Sequence, residues 1–142
     1  DIVLTVEASG IALALAAAHF LDDIPVVFAK KSPAANQSAD MLTAVAHSFT
    51  HGNDNALRVD RRYLPAGSRV LVVDDFLADG EASRALISIV EQAGCTLVGV
   101  GIAVEKGFQP GGRKLREAGV NLKSLAIVTS IQDGRIQLAD DD

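Results

Sequence analysis

Residues 70–82 read VLVVDDFLADGEA, and this stretch decides the fold. Four consecutive apolar residues, Val70 to Val73, are typical of a central parallel strand that helices cover on both faces. Two carboxylates, Asp74 and Asp75, follow this strand. A short loop with one glycine then enters a segment whose apolar residues recur at helical spacing to Ala93, with Gly94 at the C-cap. The stretch therefore predicts an α/β domain with an open parallel sheet.

The flanking segments predict the rest of a doubly wound, mainly parallel sheet. Apolar runs predict strands over 2–6, 26–29, 97–104 and 125–131, and a last short strand after the turn at 132–135. Alanine and leucine content, proline and glycine predict helices over 11–21 and 110–118. Two β-like pieces, 42–49 and 56–59, flank hairpin-turn residues at 51–54 and predict an antiparallel ribbon after a mobile polar loop, 32–40. Phe76, directly after the two carboxylates, is predicted to lie in the core.

Composition limits the classes of protein that this chain can represent. With 142 residues, 49% of them apolar, the chain is predicted to form a single domain, 1–142. Its net charge of −5 argues against nucleic acid as a partner. The uncharged stretches 8–18 and 96–104 are too short to span a membrane. The single cysteine, Cys95, is consistent with a reducing cytoplasm and is predicted to be a buried structural thiol.

The two carboxylates, Asp74 and Asp75, are called the acidic pair below. In open α/β sheets, ligands bind beyond the carboxyl ends of the strands, where helix N-termini attract phosphate. A carboxylate repels phosphate, so the acidic pair has to face hydroxyl groups, a metal ion or a cation. A phosphorylated sugar meets both demands. The alternative is that the acidic pair is only a solvated strand end.

Several other functional sites are disfavoured. The chain contains neither G-x-G-x-x-G nor G-K-[ST], which argues against dinucleotide binding and a P-loop. A phosphoacceptor signalling domain needs a further aspartate at a later strand end, but none occurs between Asp79 and Asp133. Ser9 lacks the preceding glycine of a nucleophile elbow. His47 and His51 are predicted on the ribbon and its turn, without the carboxylate that would complete a metal motif.

Residues 70–82 resemble the phosphoribosyl-pyrophosphate motif of type I phosphoribosyltransferases. Further segments, in the same order along the chain, resemble the xanthine phosphoribosyltransferases of bacteria: 7–12, 28–31, 42–44, 48–50, 74–78 and 104–106. The resemblance runs from Ile2 almost to the C-terminus. It also implies that a segment preceding residue 1 completes the base pocket in the family and is missing here.

The resemblance assigns a role to each candidate site residue. It places Asp74 and Asp75 on the ribose hydroxyls, with at most an indirect contact to magnesium. It implies that the 5-phosphate is bound by backbone N–H groups of the phosphate loop, residues 78–82: Ala78, Asp79, Gly80, Glu81 and Ala82. Ser9 and Gly10 belong to the loop that takes pyrophosphate, here called the first loop, residues 7–10.

On the pyrophosphate side, Lys30 or Lys31 would neutralise the leaving group together with Mg²⁺. Lys106 would recognise an exocyclic oxygen of the purine. Phe108, two residues later, could stack on the purine or equally pack against the following helix. Ala78 stands where hypoxanthine-guanine enzymes carry an aspartate proposed as general base.

The implied activity is transfer of the phosphoribosyl group from phosphoribosyl pyrophosphate to a purine base, foremost xanthine, by a cytoplasmic homodimer that serves purine salvage. The alternative is a purine-pathway regulator on the same fold that binds phosphoribosyl pyrophosphate only as an effector. The acidic composition and the absence of an added DNA-binding domain weigh against a regulator.

Overall fold

The computed structural model describes residues 1–32, 40–46 and 55–139. The strands are β1 (Ile2–Val6), β2 (Val26–Ala29), β3 (Met41–Ala46), β4 (Asn55–Asp60), β5 (Arg69–Leu77), β6 (Thr96–Lys106), β7 (Leu122–Gln132) and β8 (Arg135–Leu138). The helices are α1 (Gly10–His19), α2 (Glu81–Gln92) and α3 (Gly111–Glu117), and a single 3₁₀ turn spans Arg61–Tyr63. In the parts of the chain that the structure describes, no helix has the length and apolarity to cross a membrane.

Six strands form the main sheet in the order β2-β1-β5-β6-β7-β8. The first five are parallel and β8 is antiparallel to β7. All five residues of β1 are buried, as expected for a strand between two neighbours and covered on both faces. The doubly wound, mainly parallel sheet that the sequence predicts is therefore confirmed.

Two apolar clusters hold the layers together. The larger one joins Leu4 and Val72 of the sheet to Leu86 and Ile89 of α2. The smaller one packs Ala14 and Ala18 of α1 against Val3 and Val73. The sheet therefore carries α2 on one face and α1 on the other.

The predicted antiparallel ribbon is also confirmed, as the pair β3–β4. Leu42 and Leu57 are buried in the larger cluster, so both strands of the ribbon belong to the core. The ribbon is joined to the end of β2 by two backbone hydrogen bonds of 2.9 Å between Lys30 and Arg58. The predicted turn, His47, His51 and most of the predicted mobile loop lie outside the described residues, and the mobility stays a prediction.

Several predicted boundaries differ from the structure. Helix α1 begins at Gly10 and ends at His19, earlier than the predicted 11–21. Strand β5 continues through the acidic pair to Leu77, because its pairing with β6 persists as far as Glu105. Strand β7 begins at Leu122 rather than Leu125. Cys95 is half-buried, with its Sγ 3.2 Å from the carbonyl oxygen of Pro65, which agrees with a structural thiol only in part.

Candidate active site

The direction of chain connection changes between β1 and β5. From β1 the chain continues to β2 on one side, whereas from β5 it continues to β6 and β7 on the other. In open α/β sheets such a switch point opens a crevice beyond the carboxyl ends of the two strands. The first loop follows β1 and the acidic pair lies near the end of β5, so both border this crevice.

The two carboxyl groups of the acidic pair differ in their surroundings. Asp74 is only 4% exposed, and its burial raises the pKa to about 7. Partial burial also opposes ionisation of Asp75. Hydrogen bonds from the Ser9 hydroxyl, from the Phe76 N–H and from Asp74 outweigh that burial, so the pKa of Asp75 is lowered. At neutral pH, Asp75 is therefore the fully ionised member of the pair.

The first loop contacts the acidic pair directly. Ser9 occupies the N-cap of α1, but its hydroxyl makes no cap bond there and instead lowers the pKa of Asp75. Gly10 allows this approach, because a Cβ at its position would lie 2.2 Å from Thr5 Oγ1 and 2.9 Å from Asp74 Oδ1. The structure places Gly10 next to the acidic pair, and the role of Ser9 and Gly10 in binding pyrophosphate stays a prediction.

The lysines after β2 differ in position. The backbone of Lys30 is held by Arg58, whereas Lys31 donates its N–H to Glu7 Oε1 at 2.6 Å. The positive charge of Lys31 also lowers the pKa of Asp74, although burial of Asp74 outweighs it. Of the two candidates, Lys31 is thus the one that interacts with both the first loop and the acidic pair.

The phosphate loop enters α2 through Gly80, whose φ of 85° is left-handed and favours glycine. One of its backbone donors already has a partner, because Asp79 Oδ1 accepts from the Glu81 N–H at 3.2 Å. Glu81 pairs with Arg84, which also donates to the Asp79 carbonyl at 3.3 Å. Arg84 is a cation beside this loop that the sequence reasoning missed; its position three residues after Glu81 was the available signal.

The purine side of the candidate site contains an aromatic residue that the sequence reasoning misplaced. Phe76 is 55% exposed and not in the core, and the Lys106 ammonium lies 5.8 Å from its ring centre. The apolar pattern of β5 predicts a strand, but it does not indicate which residues at the end of that strand are left exposed to solvent. Phe108 is 49% exposed in the turn after Lys106, so much of its ring is open to solvent.

The charged groups near this edge do not by themselves form a metal centre. Within residues 1–32, 40–46 and 55–139, no three metal-ligating side chains come together. Asp75, the ionised member of the acidic pair, suits Mg²⁺ because that ion commonly binds one or two carboxylates together with substrate phosphates. The residues present therefore fit magnesium that is delivered largely by a phosphorylated substrate.

Two further side chains near the site were not predicted. Thr5 Oγ1 is buried beside Gly10 and has no hydrogen-bond partner among the described residues. Glu105, one residue before Lys106, is buried and bound by Arg116 and Ser124. Nothing in the local sequence distinguishes Glu105 from a solvated residue at a strand end, since its partners lie on other elements.

Comparison with known proteins gives consistent results. The family model described as "Phosphoribosyl transferase domain" matches residues 1–135. Xanthine phosphoribosyltransferase 1 of Clostridium perfringens is 48% identical over 136 residues, which is 96% of this chain and 72% of that protein. Xanthine phosphoribosyltransferase of Bifidobacterium animalis subsp. lactis is 51% identical over 129 residues, 91% of this chain and 67% of the relative.

Solved structures show the same fold. The crystal structure of adenine phosphoribosyltransferase from Thermoanaerobacter pseudethanolicus has a TM-score of 0.77 at 27% identity, covering 89% of this chain and 69% of that one. The adenine phosphoribosyltransferase of Saccharomyces cerevisiae, solved with adenine and an imino-altritol bisphosphate, has a TM-score of 0.75 at 25% identity. It covers 88% of this chain and 66% of that one. By sequence and by fold, the chain belongs to the phosphoribosyl transferase domain family.

Proposed function

We propose that the protein transfers the 5-phosphoribosyl group from phosphoribosyl pyrophosphate to a purine base, foremost xanthine, as an enzyme of purine salvage. The observation that carries this proposal is the close approach of the first loop to the acidic pair at the β1/β5 switch point, where a Cβ on Gly10 would lie 2.9 Å from Asp74 Oδ1. The same residues belong to a chain that is 48% identical to a xanthine phosphoribosyltransferase.

The proposed reaction breaks the bond between ribose C1 and pyrophosphate. The electron pair leaves with pyrophosphate, the ribose becomes oxocarbenium-like, and a purine ring nitrogen forms the new bond to C1 and loses its proton. Asp75, ionised and half-buried at the crevice, would accept hydrogen bonds from the ribose hydroxyls, and Asp74 would support it. Magnesium, when bound, neutralises charge on the departing pyrophosphate. Catalysis would come mainly from positioning and electrostatics.

The remaining candidate residues would bind different parts of the substrates. The phosphate loop would bind the 5-phosphate with backbone N–H groups, and Ser9, Gly10 and Lys31 would face the pyrophosphate. Lys30 contributes only an additional positive charge nearby. No side chain at Ala78 can remove the purine proton, so we expect the proton to pass to solvent.

On the purine side, Lys106 would donate to an exocyclic oxygen. The exposed ring of Phe76 lies within reach of the Lys106 ammonium and offers an apolar surface for a flat base. Phe108 remains the second stacking candidate. The proposal also includes a cytoplasmic location and a homodimer, as the resemblance implies; light scattering on the purified protein tests the oligomeric state.

A spectrophotometric assay with phosphoribosyl pyrophosphate, Mg²⁺ and each of xanthine, guanine, hypoxanthine and adenine tests the activity. We expect the highest kcat/KM with xanthine and the lowest with adenine, which has no exocyclic oxygen for Lys106. Absence of turnover with all four bases would contradict the proposal. Calorimetric binding of phosphoribosyl pyrophosphate without turnover would favour an effector-binding regulator.

The Lys106→Ala variant tests the purine side separately. It should lower kcat/KM for xanthine and reduce its preference over adenine, because a polar group of the base is left unpaired. Binding of phosphoribosyl pyrophosphate should remain close to that of the unmodified protein. Lys123→Ala, at an exposed strand lysine nearer the other end of the sheet, is the matched control. Equal losses for xanthine and adenine would contradict base recognition by Lys106.

A further inference from the structure

Glu105 is a buried charged group that the proposed chemistry does not use. Its side chain is fully occupied: Arg116 Nη1 donates to Oε1 at 2.7 Å, Arg116 Nη2 donates to Oε2 at 2.7 Å, and the Ser124 hydroxyl donates to Oε2 at 2.6 Å. The Arg116 guanidinium keeps the pKa of Glu105 below its usual value despite burial. Glu105 therefore remains a carboxylate and has no proton to exchange with a substrate.

These three residues, here called the Glu105 clamp, join three elements. Glu105 lies on β6, Arg116 on α3 and Ser124 on β7. The fit against α3 is close enough to require glycine, because a Cβ on Gly112 would lie 1.9 Å from Glu105 Oε1. A forked guanidinium–carboxylate pair fixes orientation as well as distance. The Glu105 clamp therefore fixes where α3 sits on the sheet.

Helix α3 in turn contacts the phosphate loop. The Gly111 N–H donates to the Ala78 carbonyl at 3.0 Å, and a Cβ on Gly111 would lie 2.4 Å from that same oxygen. In the sheet, Leu77 is the register partner of Glu105. The beginning of the phosphate loop is thus held both by the clamped strand and by the clamped helix.

The turn on the purine side leads directly into α3. The Gln109 N–H donates to the Lys106 carbonyl at 2.8 Å, and the Gly107 N–H donates to the Val128 carbonyl at 2.8 Å. The turn therefore begins at Lys106, directly after Glu105, and ends at the first residues of α3. A shift of α3 would move this turn and the phosphate loop together.

We propose that Glu105 is a positioning residue for phosphoribosyl transfer, which through the Glu105 clamp fixes the distance between the phosphate loop and the base-side residue Lys106. This inference rests on the proposed function, since it concerns the spacing of the two substrates. Reacting atoms must approach to about 3–3.5 Å, and a displacement of about 1 Å can cost roughly a hundredfold in rate. A movement of α3 by about 1 Å would therefore be enough to lower the rate of transfer.

Three variants test the role. Glu105→Gln keeps the shape of the side chain but removes its charge, and Ser124→Ala removes one hydrogen bond while leaving the ion pair with Arg116. Glu117→Gln is the matched control, because Glu117 also pairs with an arginine of α3 but is exposed and lies 3.9 Å from it. For each variant, kcat/KM for xanthine and for phosphoribosyl pyrophosphate is measured well below its melting temperature.

We expect kcat/KM for both substrates to fall about tenfold to a hundredfold in Glu105→Gln, less in Ser124→Ala, and not at all in Glu117→Gln. A folded Glu105→Gln variant with unchanged kinetic constants would overturn the proposal, even if its melting temperature were lower. Should Glu105→Gln not fold, Ser124→Ala decides, and unchanged kinetics in that variant would also overturn it.

Backbone amide chemical shifts separate this proposal from the proposed function. If the unmodified protein turns over no purine, the proposed function fails, but the shifts of Ala78 and Gly80 still report whether the Glu105 clamp holds the phosphate loop. Changes in Glu105→Gln that are absent in Glu117→Gln would support the positioning role. Unchanged shifts at both amides would overturn it.

Discussion

At the scale of single residues, the acidic pair consists of two neighbouring carboxyl groups in different protonation states. Asp74 is buried and keeps its proton until about pH 7, while Asp75 accepts hydrogen bonds and ionises readily. Burial of Asp74 favours its neutral form, whereas the groups that donate hydrogen bonds to Asp75 favour its ionised form. One carboxylate is therefore free to bind a ligand without the repulsion of two adjacent negative charges.

Asp75→Asn is predicted to lower kcat/KM about tenfold to a hundredfold, because a charge-assisted hydrogen bond contributes roughly 1.5–3 kcal/mol. The fold should persist, since Asp75 lies at the crevice and Asn can still accept from Ser9. Steady-state kinetics with varied phosphoribosyl pyrophosphate measure the effect. Asp22→Asn, at an exposed residue after α1, is the control; wild-type kinetics in Asp75→Asn would show that the ribose binds elsewhere.

Asp74→Asn is predicted to change how stability depends on pH. The folded protein holds the Asp74 proton up to about pH 7, whereas the unfolded chain releases it near pH 3.8. Between these values the folded state binds more protons, so the stability that neutral Asp74 provides is complete below pH 3.8 and is lost as pH rises through 7. Asn cannot ionise and avoids this loss.

Chemical denaturation of both proteins at about pH 4 and about pH 8, on either side of the Asp74 transition, measures the difference. We expect similar free energies of unfolding at the lower pH. At the higher pH, Asp74→Asn should be the more stable by at most about 4 kcal/mol, since one pKa unit corresponds to about 1.4 kcal/mol. A variant that is less stable than the unmodified protein at the higher pH would contradict a buried, mostly neutral Asp74.

Sequence reasoning identified candidate site residues where their pattern is local. Asp74, Asp75 and Gly80 follow one apolar strand and precede one helix, so their pattern is visible in a few residues. Phe76 was misplaced and Glu105 was overlooked because exposure and pairing depend on distant segments. Whether a residue at a strand end is covered depends on how other segments pack against it. The same is true of the partner that a buried charge finds. Neither property can be read from the local sequence.

At the scale of elements, α2 and α3 were each predicted to within one residue at both ends. The apolar spacing of α2 and Gly94 behind it gave its extent, and the structure places it at Glu81–Gln92 with Gly94 at a φ of 71°. The end of β5 was less accurate, because polar residues were taken as the end of the strand. Backbone pairing with β6 continues regardless of side-chain polarity, so β5 extends to Leu77.

The junction between β5 and α2 gives a prediction about Gly80. Gly80→Ala should cost about 1–2 kcal/mol for its left-handed φ, and more because the new Cβ would lie 3.2 Å from Gly111 Cα. Gly119 has a similar φ of 79°, but a Cβ there would meet nothing within 4 Å, so Gly119→Ala isolates the backbone cost. Urea denaturation of both variants compares the two costs.

The same pair of variants should differ in ligand binding. Gly80→Ala is expected to weaken binding of phosphoribosyl pyrophosphate, measured by calorimetry, because it displaces the phosphate loop from α3. Gly119→Ala should bind normally. Equal destabilisation and equal binding in the two variants would mean that the close contact between Gly80 and Gly111 is easily relieved.

At the scale of the whole molecule, the ribbon is part of the main core. Leu57 on β4 is 1% exposed and belongs to the same cluster as Leu86 of α2. Leu57→Ala is therefore predicted to lower the free energy of unfolding by about 2–5 kcal/mol. Val45→Ala, at a residue of β3 that is 47% exposed, should change it by less than about 0.5 kcal/mol.

Thermal or chemical denaturation of Leu57→Ala and Val45→Ala checks this prediction. A loss below about 1 kcal/mol in Leu57→Ala would mean that the ribbon contributes little to the core.

The strand order was harder to predict than the strands themselves. Apolar runs identify β1 and β5, but their pairing joins segments separated by α1, β2 and the ribbon, and no local pattern records it.

That long-range pairing of β1 with β5 has a consequence for synthesis on the ribosome. The five apolar or small residues of β1 are translated well before Arg69–Leu77, the strand that covers one edge of them. At about 5–20 residues per second, the interval between the two strands lasts roughly 4–14 s. During that time the nascent chain exposes β1 and the alanine- and leucine-rich α1, and we expect chaperones that bind unfolded apolar segments to recognise this region first.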